Sequence, residues 1–364
     1  MAQDLSMFSH VFSLLFLHAN ALSADASSSS HAAFPKRIWS FWHQPPPPRM
    51  VQLAMATWRT YAPDYEVNLI NLENYKEHLQ EPEDTPRTVG PESFEFIARF
   101  SDWLRLALLA KHGGVWLDAT LLLTAPLQYL VNESATFSGV HLEDRVESFF
   151  LASRAHEVLM QRWRDTLFHI AQMNESAYDQ HLVALRGRGI EPLNGAMARC
   201  DWSLRSPLHG ALHSALHFGA RRINAFTRYT NFYLQVCNER YWMHYLRVMV
   251  AFYGVIEGSG YNTQELYSKW DLHIQDSMKN VNALAVLLGW NSSDIVHFIS
   301  TSRSAKFDLY QVRGIKLRRA EWEQLDSLKV CEAGSVICRL QKLTGADIFD
   351  EVPAEVSEPP AFEL

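Results

Sequence analysis

The stretch Phe100–Leu127, which reads FSDWLRLALLAKHGGVWLDATLLLTAPL, constrains the fold more than any other part of the sequence. The first half of this stretch, together with the residues just before it, predicts a helix over Phe94–His112 that is apolar on nearly every side. Gly113 follows the helix, and glycine is the residue type that commonly ends one. The residues that follow, Val115–Thr124, predict a strand so apolar that both of its faces must be covered. A helix and a strand that are both buried in this way indicate an α/β sandwich.

Asp102, Arg105 and Asp118 interrupt the apolar pattern of this stretch. Asp102 and Arg105 lie three apart and therefore on one face of the helix, whereas Asp118 lies in the strand. Burying a charge costs free energy unless it is paired or hydrogen-bonded, so the helix pair is either a structural ion pair or the wall of a pocket for a polar ligand. Because Gly113 and Gly114 join helix to strand tightly, we expect the three to converge, with the two carboxylates within about 10 Å of each other.

The segment before this stretch predicts a parallel βαβ unit. Arg37–His43 has the composition of a buried strand, Met50–Tyr61 has helical spacing of apolar residues, and Glu66–Leu72 predicts a second strand. Strands joined through a helix in this way run parallel, and ligands bind beyond their carboxyl ends.

The pattern after the apolar strand is less regular. Ser148–Ala152 predicts a further strand, and Ser153 is a candidate cap for an amphipathic helix that ends near Ala171. Tyr241–Tyr253 is aromatic and predicted to be helical. The acidic residues Glu143, Asp144 and Glu147 could contact an acceptor substrate, although a solvated acidic turn explains them more simply.

Composition excludes several classes of function. The net charge of −7 disfavours a nucleic-acid partner, which would require a basic face. The sequence contains no H-E-x-x-H, G-x-S-x-G or G-K-[ST] pattern, which disfavours the metalloproteases, serine hydrolases and P-loop enzymes that carry them. The four cysteines, Cys200, Cys237, Cys331 and Cys338, fit either two disulfides or four free thiols.

The N-terminal segment leaves the compartment open. Val11–Leu17 resembles the apolar region of a signal peptide, but no Lys or Arg precedes it and it is too short to cross a bilayer. Membrane association is therefore expected only through this segment. Three N-glycosylation triplets begin at Asn132, Asn174 and Asn291, and they would matter only in a secretory lumen. A secretory and a cytoplasmic location both remain possible.

The ordered pattern S-D-x-x-R-x-x-x-L-x-x-x-G-G-x-W-x-D-A-T, which begins at Ser101, resembles the donor-site signature of the capsular polysaccharide synthesis glycosyltransferases. That family is related to initiation-type mannosyltransferases with a D-x-D sugar-binding region and, more remotely, to glucosylating clostridial toxins. The resemblance extends to Arg37–His43, to Trp58 and to Ser148–Ser153, and it covers roughly Pro35–Ala171.

The resemblance implies a role for each matching residue. Asp102 would hold ribose or donor-sugar hydroxyls, Arg105 would contact the donor sugar or its phosphate, and Asp118 corresponds to the first carboxylate of the D-x-D motif. Asp118 and Arg105 are the expected catalytic residues. Further donor-binding residues are expected at Phe41, Trp42, Gln44, Asn71, Gly114 and Thr120.

Thr120 departs from the wider family, which has a second Asp at this position. A hydroxyl is a poorer ligand than a carboxylate for Mn²⁺ or Mg²⁺, so Asp118 is at best one weak ligand of a divalent cation. The charge of a diphosphate leaving group must nevertheless be neutralised. A metal on Asp118 with a distant ligand, or a cation such as Lys306, would do this, and the requirement for a divalent cation remains open.

The resemblance implies a GT-A-like, Rossmann-related α/β fold with a mostly parallel sheet and a largely helical C-terminal part. We expect a signal-like segment and Ser-rich linker at 1–33, a donor-binding half at 34–171, an acceptor-binding half at 172–346 and a disordered acidic tail at 347–364. The implied reaction transfers a hexose from a nucleotide sugar to a glycan hydroxyl with retention of configuration. A non-catalytic nucleotide-sugar or glycan-binding relative and a nucleotide-sugar hydrolase are the alternatives.

Overall fold

The computed structural model of the chain describes residues 33–79, 94–142, 145–190, 246–258 and 267–354. The sequence predictions for residues 1–32, Glu143, Asp144, Cys200, Cys237 and residues 355–364 lie outside these ranges.

The described elements up to residue 187 include the first strands of the central sheet and the helices packed on them, and those from residue 247 onward are short helices and strands. In chain order they are β1 Arg37–Phe41, α1 Arg49–Tyr61, β2 Glu66–Ile70, α2 Tyr75–His78, α3 Phe94–His112, β3 Gly114–Leu117, β4 Leu121–Leu123, β5 Phe137–Leu142, β6 Arg145–Ser153, α4 Val158–Ala171, α5 Glu175–Gly187, α6 Arg247–Ile256, β7 Leu272–Asp276, α7 Ala283–Leu287, α8 Ser292–Ser300, β8 Gly314–Lys316, α9 Arg319–Ser327, β9 Val330–Glu332, α10 Val336–Thr344 and β10 Asp350–Val352.

The central sheet has six strands in the order β2-β1-β3-β6-β5-β7. β1 pairs in parallel with β2 and β3, and β5 pairs in parallel with β7. β6 is antiparallel to both of its neighbours, β3 and β5, so it alone runs against the other five strands. The predicted α/β fold with a mostly parallel sheet is therefore confirmed, and so is the largely helical C-terminal part.

The two faces of the sheet are covered by separate apolar clusters, as the apolar strands predict. Alternate residues point to opposite faces of a strand. Val115 and Leu117 of β3 belong to one cluster, with residues of α1, β4, β8, α8 and α10, whereas Trp116 faces the other, with residues of α3, α4, α5 and α6. Burial on both faces explains why β3 lacks the polar alternation of a half-exposed strand.

The helix predicted over Phe94–His112 has those bounds in the structure, and Gly113 follows it with a φ of 63°. That left-handed conformation favours glycine. A Cβ atom at this position would also lie 2.4 Å from the backbone nitrogen of Ala155. The chain therefore reverses from helix into strand at a residue that only glycine can occupy.

The strand predicted over Val115–Thr124 is wrong in extent. The structure divides it into β3, which lies in the central sheet, and β4, which pairs with β8 in a separate two-stranded sheet. The break falls at Asp118, Ala119 and Thr120, where the amide of Leu121 donates to the carbonyl of Asp118 across a turn. The polar residues thus stand at the end of a strand and not in its middle.

Two further expectations are corrected. Ser153 does not cap the following helix, because it is still paired in β6 and the helix begins only at Val158. The acidic tail is not disordered from residue 347 onward, because Phe349 is buried and Asp350–Val352 pairs in parallel with β9. One apolar anchor thus orders the chain as far as residue 354.

Cys331 of β9 and Cys338 of α10 form a disulfide, and both are buried. No helix in the described ranges is long and apolar enough to cross a membrane.

Candidate functional site

The candidate site lies at the carboxyl ends of β1 and β3. From β1 the chain passes through α1 to β2 on one side of β1, whereas β3 lies on its other side. The strand order therefore changes direction between β1 and β3, the position at which open α/β sheets bind ligands. Asp118 directly follows β3 at this edge, and Trp42 directly follows β1.

Chain geometry explains why Asp102 meets Asp118. Asp102 lies ten residues before the end of α3, which is about 15 Å along a helix. Asp118 lies four residues after the first residue of β3, which is about 13 Å along a strand. Because Gly113 reverses the chain between them and α3 packs on β3, the two carboxylates reach the same edge of the sheet.

Arg105 joins the two carboxylates. Its Nη2 lies 3.0 Å from Oδ1 of Asp102 and 3.6 Å from Oδ1 of Asp118. The expectation that these carboxylates lie within about 10 Å of each other is confirmed, because both contact one nitrogen atom.

The N–H donors of Arg105 are nevertheless already used by acceptors of the protein itself. Nη1 donates to the carbonyl and the hydroxyl of Ser148 at 2.6 and 2.7 Å, Nε donates to the carbonyl of Ser101, and Nη2 also donates to the hydroxyl of Ser101. The guanidinium lies 5.1 Å from the ring of Trp116, and the residue is 6% exposed. Every nitrogen of Arg105 therefore already has an acceptor, which favours a positioning role over direct contact with a donor phosphate.

Asp118 is held on both of its oxygen atoms. The indole Nε1 of Trp116 donates to Oδ1 at 2.9 Å, and Nζ of Lys316 donates to Oδ2 at 2.8 Å. Residues two apart in a strand share a face, so the W-x-D spacing places the indole beside the carboxylate. The carboxylate side chain remains 24% exposed, so it is still accessible from the edge of the sheet.

The environments of the two carboxyl groups shift their pKa values in opposite directions. Burial raises the pKa of Asp102 to about 6, against the opposing effect of Arg105 and with the help of the Asp118 charge. Burial also acts on Asp118, but Lys316 and Arg105 outweigh it and lower the pKa of Asp118 to about 2. At neutral pH Asp118 is firmly ionised, whereas Asp102 ionises close to physiological pH. Such a separation of two neighbouring carboxyl groups is typical of functional sites.

The second oxygen of Asp102 has no hydrogen-bond partner within the described ranges. Arg105 contacts Oδ1, and no described residue donates a hydrogen bond to Oδ2. The side chain is 18% exposed. A desolvated carboxylate with a free oxygen can accept hydrogen bonds from the hydroxyls of a ligand.

Lys316 and Trp116 are site residues that the sequence predictions missed. Lys316 lies in β8, whose pairing with β4 places it opposite Leu121 and next to the turn that carries Asp118. Nothing in the local sequence around Lys316 signals this role, because the contact depends on a pairing between residues far apart in the chain. Lys306, the cation expected from the sequence, is exposed, and no contact joins it to Asp118 in the structure.

Two predicted donor-binding residues have structural roles in the fold. The side chain of Phe41 is buried, with its ring centroid 5.3 Å from that of Phe100, because the last residue of β1 faces α3. Gly114 lies at the amino end of β3, away from Asp118, and a Cβ atom there would lie 2.6 Å from the carbonyl oxygen of Arg37. Gly114 thus allows close approach of β3 to β1.

The other predicted residues are distributed along the same edge of the sheet. Trp42 is half-buried, with its ring edge-to-face with Trp322 at 5.0 Å, and Gln44 is exposed. Asn71 follows β2, and its Oδ1 accepts from the amides of Glu73 and Asn74, as in a turn. No hydrogen bond or ion pair of the described structure connects Trp42, Gln44 or Asn71 to the charged residues. Trp42 and Gln44 thus remain candidates for contact with a nucleotide base.

The residues around Asp118 are a poor fit for a divalent cation. Its two oxygens face Lys316 and Trp116, and the hydroxyl of Thr120 donates to the carbonyl of Leu317 at 2.8 Å while it accepts from Lys316 at 2.9 Å. No cluster of three His, Cys, Asp or Glu side chains suited to a metal ion occurs among the described residues. Carboxylate oxygens are the ligands that Mg²⁺ prefers, and here a lysine competes for the carboxylate that the turn provides.

Comparison with known proteins supports the resemblance predicted from the sequence. The family described as "Capsular polysaccharide synthesis protein" matches residues 16–184, which include Asp102, Arg105, Asp118 and Thr120. No curated protein matches the chain. Among solved structures, the chain is similar to a "PaToxG Glycosyltransferase" at 16% sequence identity and a TM-score of 0.29, over 38% of this chain and 61% of that one. The chain thus spans less than two thirds of the length of that protein.

Proposed function

We propose that the protein is a glycosyltransferase with a GT-A-like fold that transfers a hexose from a nucleoside diphosphate to a hydroxyl group of a glycan. The observation that carries this proposal is the convergence of Asp102, Asp118 and Lys316 at the carboxyl ends of β1 and β3. The match of residues 16–184 to the capsular polysaccharide synthesis family agrees with it, because that family is expected to build polysaccharide.

The reaction breaks one bond at the anomeric carbon and forms another. The bond from this carbon to the β-phosphate oxygen breaks, and its electron pair leaves with the nucleoside diphosphate. The acceptor oxygen bonds to the anomeric carbon, and its proton passes to the departing diphosphate. Retention of configuration, which the family resemblance implies, requires attack from the face that the diphosphate leaves.

Asp102 binds the donor sugar or ribose in this proposal. Its free oxygen accepts hydrogen bonds from hydroxyls, and its raised pKa makes this interaction dependent on pH near 6. Positive charge develops on the sugar ring as the glycosidic bond breaks. Asp118, which stays ionised, stabilises that charge electrostatically. Arg105 acts as a positioning residue, because it orients both carboxylates through bonds to the protein.

A donor screen followed by a turnover assay tests the proposal. UDP- and GDP-hexoses are screened by thermal shift, and release of the nucleoside diphosphate is then measured with and without an oligosaccharide acceptor. Asp118→Asn keeps the shape of the side chain and removes its charge, so we expect the turnover rate to fall on the order of a hundredfold. Asp165→Asn is the matched control, because Asp165 is 64% exposed and its one ion pair among the described residues is with its chain neighbour Arg164.

The result also decides between the alternatives. Release that needs an acceptor supports the transferase, whereas equal release without one indicates a nucleotide-sugar hydrolase. Binding without any release indicates a non-catalytic nucleotide-sugar-binding relative, an alternative that the full occupation of Arg105 by protein acceptors favours. A chain that binds none of these donors refutes the proposal.

A further inference from the structure

Asp102, Arg105, Asp118 and Lys316 form a charged cluster, and Lys316 is its one residue from the C-terminal half of the chain. Its Nζ donates to Oδ2 of Asp118 at 2.8 Å and to the hydroxyl of Thr120 at 2.9 Å. The ammonium also lies 5.5 Å from the centre of the Phe149 ring. It thus bridges the two polar residues of the D-A-T turn, which is where a D-x-D motif would hold a divalent ion.

The hydrogen bonds of Lys316 leave it able to bind a further acceptor. A lysine ammonium has three N–H donors, and two of them are used by Asp118 and Thr120. The third has no acceptor in the parts of the chain that the structure describes. The side chain is 16% exposed, so solvent or a ligand can reach it.

The balance of charges in the cluster also indicates that Lys316 can bind a further acceptor. The described cluster contains two carboxylates, Asp102 and Asp118, and two cations, Arg105 and Lys316. A diphosphate that enters it adds negative charge and requires a cation with a donor to spare. Arg105 has none, because each of its nitrogens already has an acceptor. Only Lys316 in this cluster meets the requirement.

We infer that Lys316 replaces the divalent cation and binds the diphosphate of the donor directly, so that the protein binds this group without metal. The inference rests on the proposed function for the identity of the ligand. Thr120 then positions the ammonium of Lys316 with its neutral hydroxyl, whereas a second carboxylate at this place would neutralise the ammonium charge. In transfer, Lys316 stabilises the negative charge that accumulates on the departing diphosphate.

Binding of inorganic pyrophosphate, measured by calorimetry in EDTA and in Mn²⁺, tests the inference on the full chain. We expect the wild type to bind pyrophosphate in EDTA. Lys316→Met should weaken this binding about tenfold or more, because a hydrogen bond to a charged group is lost. Lys316→Arg should retain most of it. Lys279→Met is the control and should change nothing, because Lys279 is 82% exposed and pairs only loosely with Asp276.

Each outcome decides for or against Lys316. Absence of pyrophosphate binding in EDTA, whether or not Mn²⁺ restores it, overturns the inference, and so does wild-type affinity in Lys316→Met. If Lys316→Met fails to fold, the wild type in EDTA and Lys316→Arg still decide. If the protein binds pyrophosphate through Lys316 but turns over no donor, the proposed transferase function is refuted and the anion site at Lys316 is not. A chain that transfers hexose only with Mn²⁺ refutes the anion site and not the transferase.

Discussion

Asp102→Asn should make the folded protein more stable at neutral pH. The raised pKa means that the folded state favours the protonated carboxyl, so ionisation of Asp102 costs folding free energy. One pKa unit corresponds to about 1.4 kcal/mol, and the difference between the ordinary value of 3.8 and a value of about 6 therefore corresponds to about 3 kcal/mol. Asparagine keeps the shape of the side chain and carries no charge, so the variant avoids the cost of ionisation.

The pH dependence follows from the sign of the shift. The stability that Asp102 contributes is fully present only well below its ordinary pKa of 3.8, where the group is protonated in both states, and it is lost as the pH rises through about 6. The neighbouring carboxyl group of Asp118 does not titrate in this range, because it already ionises near pH 2. The free energy of unfolding of the variant minus that of the wild type should therefore rise by about 2.4 kcal/mol between pH 4 and pH 7.5.

Urea unfolding of both proteins across this pH range measures the difference. The other titrating groups are common to both chains and cancel in the subtraction. Asp165→Asn, which removes an exposed carboxylate, is the control variant. A flat difference for Asp102→Asn would show that the buried carboxyl does not carry the predicted cost. A difference that falls with rising pH would show that the bond to Arg105 outweighs burial.

Three further predictions concern the neighbouring groups. Asp118→Asn should lower the free energy of unfolding by about 2 kcal/mol at pH 7, because a pKa lowered to about 2 means that ionised Asp118 stabilises the fold; this effect should fade below pH 4, and urea unfolding measures it. Thr120→Asp alone should create no Mn²⁺ site, since Lys316 would pair with the new carboxylate, whereas Thr120→Asp with Lys316→Met should bind Mn²⁺ in calorimetry. Reduction of the disulfide between Cys331 and Cys338, seven residues apart, should cost about 2 kcal/mol, measured by unfolding with and without dithiothreitol; equal stability would refute it.

The part of the site that could be predicted from the sequence is the part formed by local geometry. The bounds of α3 were predictable because its apolar pattern ends at a glycine that no other residue can replace. The meeting of Asp102 with Asp118 was predictable because the rise of a helix and of a strand, measured from the same turn, brings them to the same level. Neither inference needs any contact between distant parts of the chain.

The remainder depends on contacts that no local pattern records. The apolar run Val115–Thr124 looks like one strand, and it is divided because β4 pairs with β8 from the C-terminal half. Phe41 looked like a ligand contact, and it is a core residue because α3 covers its face of β1. In both cases the deciding partner is remote in sequence, and its effect appears only once the chain is folded.

The replacement of the second carboxylate by Thr120 has a different meaning in the folded protein than in the sequence alone. In the sequence, D-A-T lacks the second carboxylate of a D-x-D motif, which leaves the metal requirement open and keeps a non-catalytic relative among the alternatives. In the structure, the pairing that divides the strand also brings Lys316 to Asp118 and Thr120. A carboxylate, a hydroxyl and an ammonium then occupy the place of two carboxylates and a divalent ion, and both sets can face a diphosphate with positive charge. On the inference that Lys316 binds the diphosphate, the loss of the second carboxylate does not imply loss of activity, because the chain supplies a cation in place of the divalent ion.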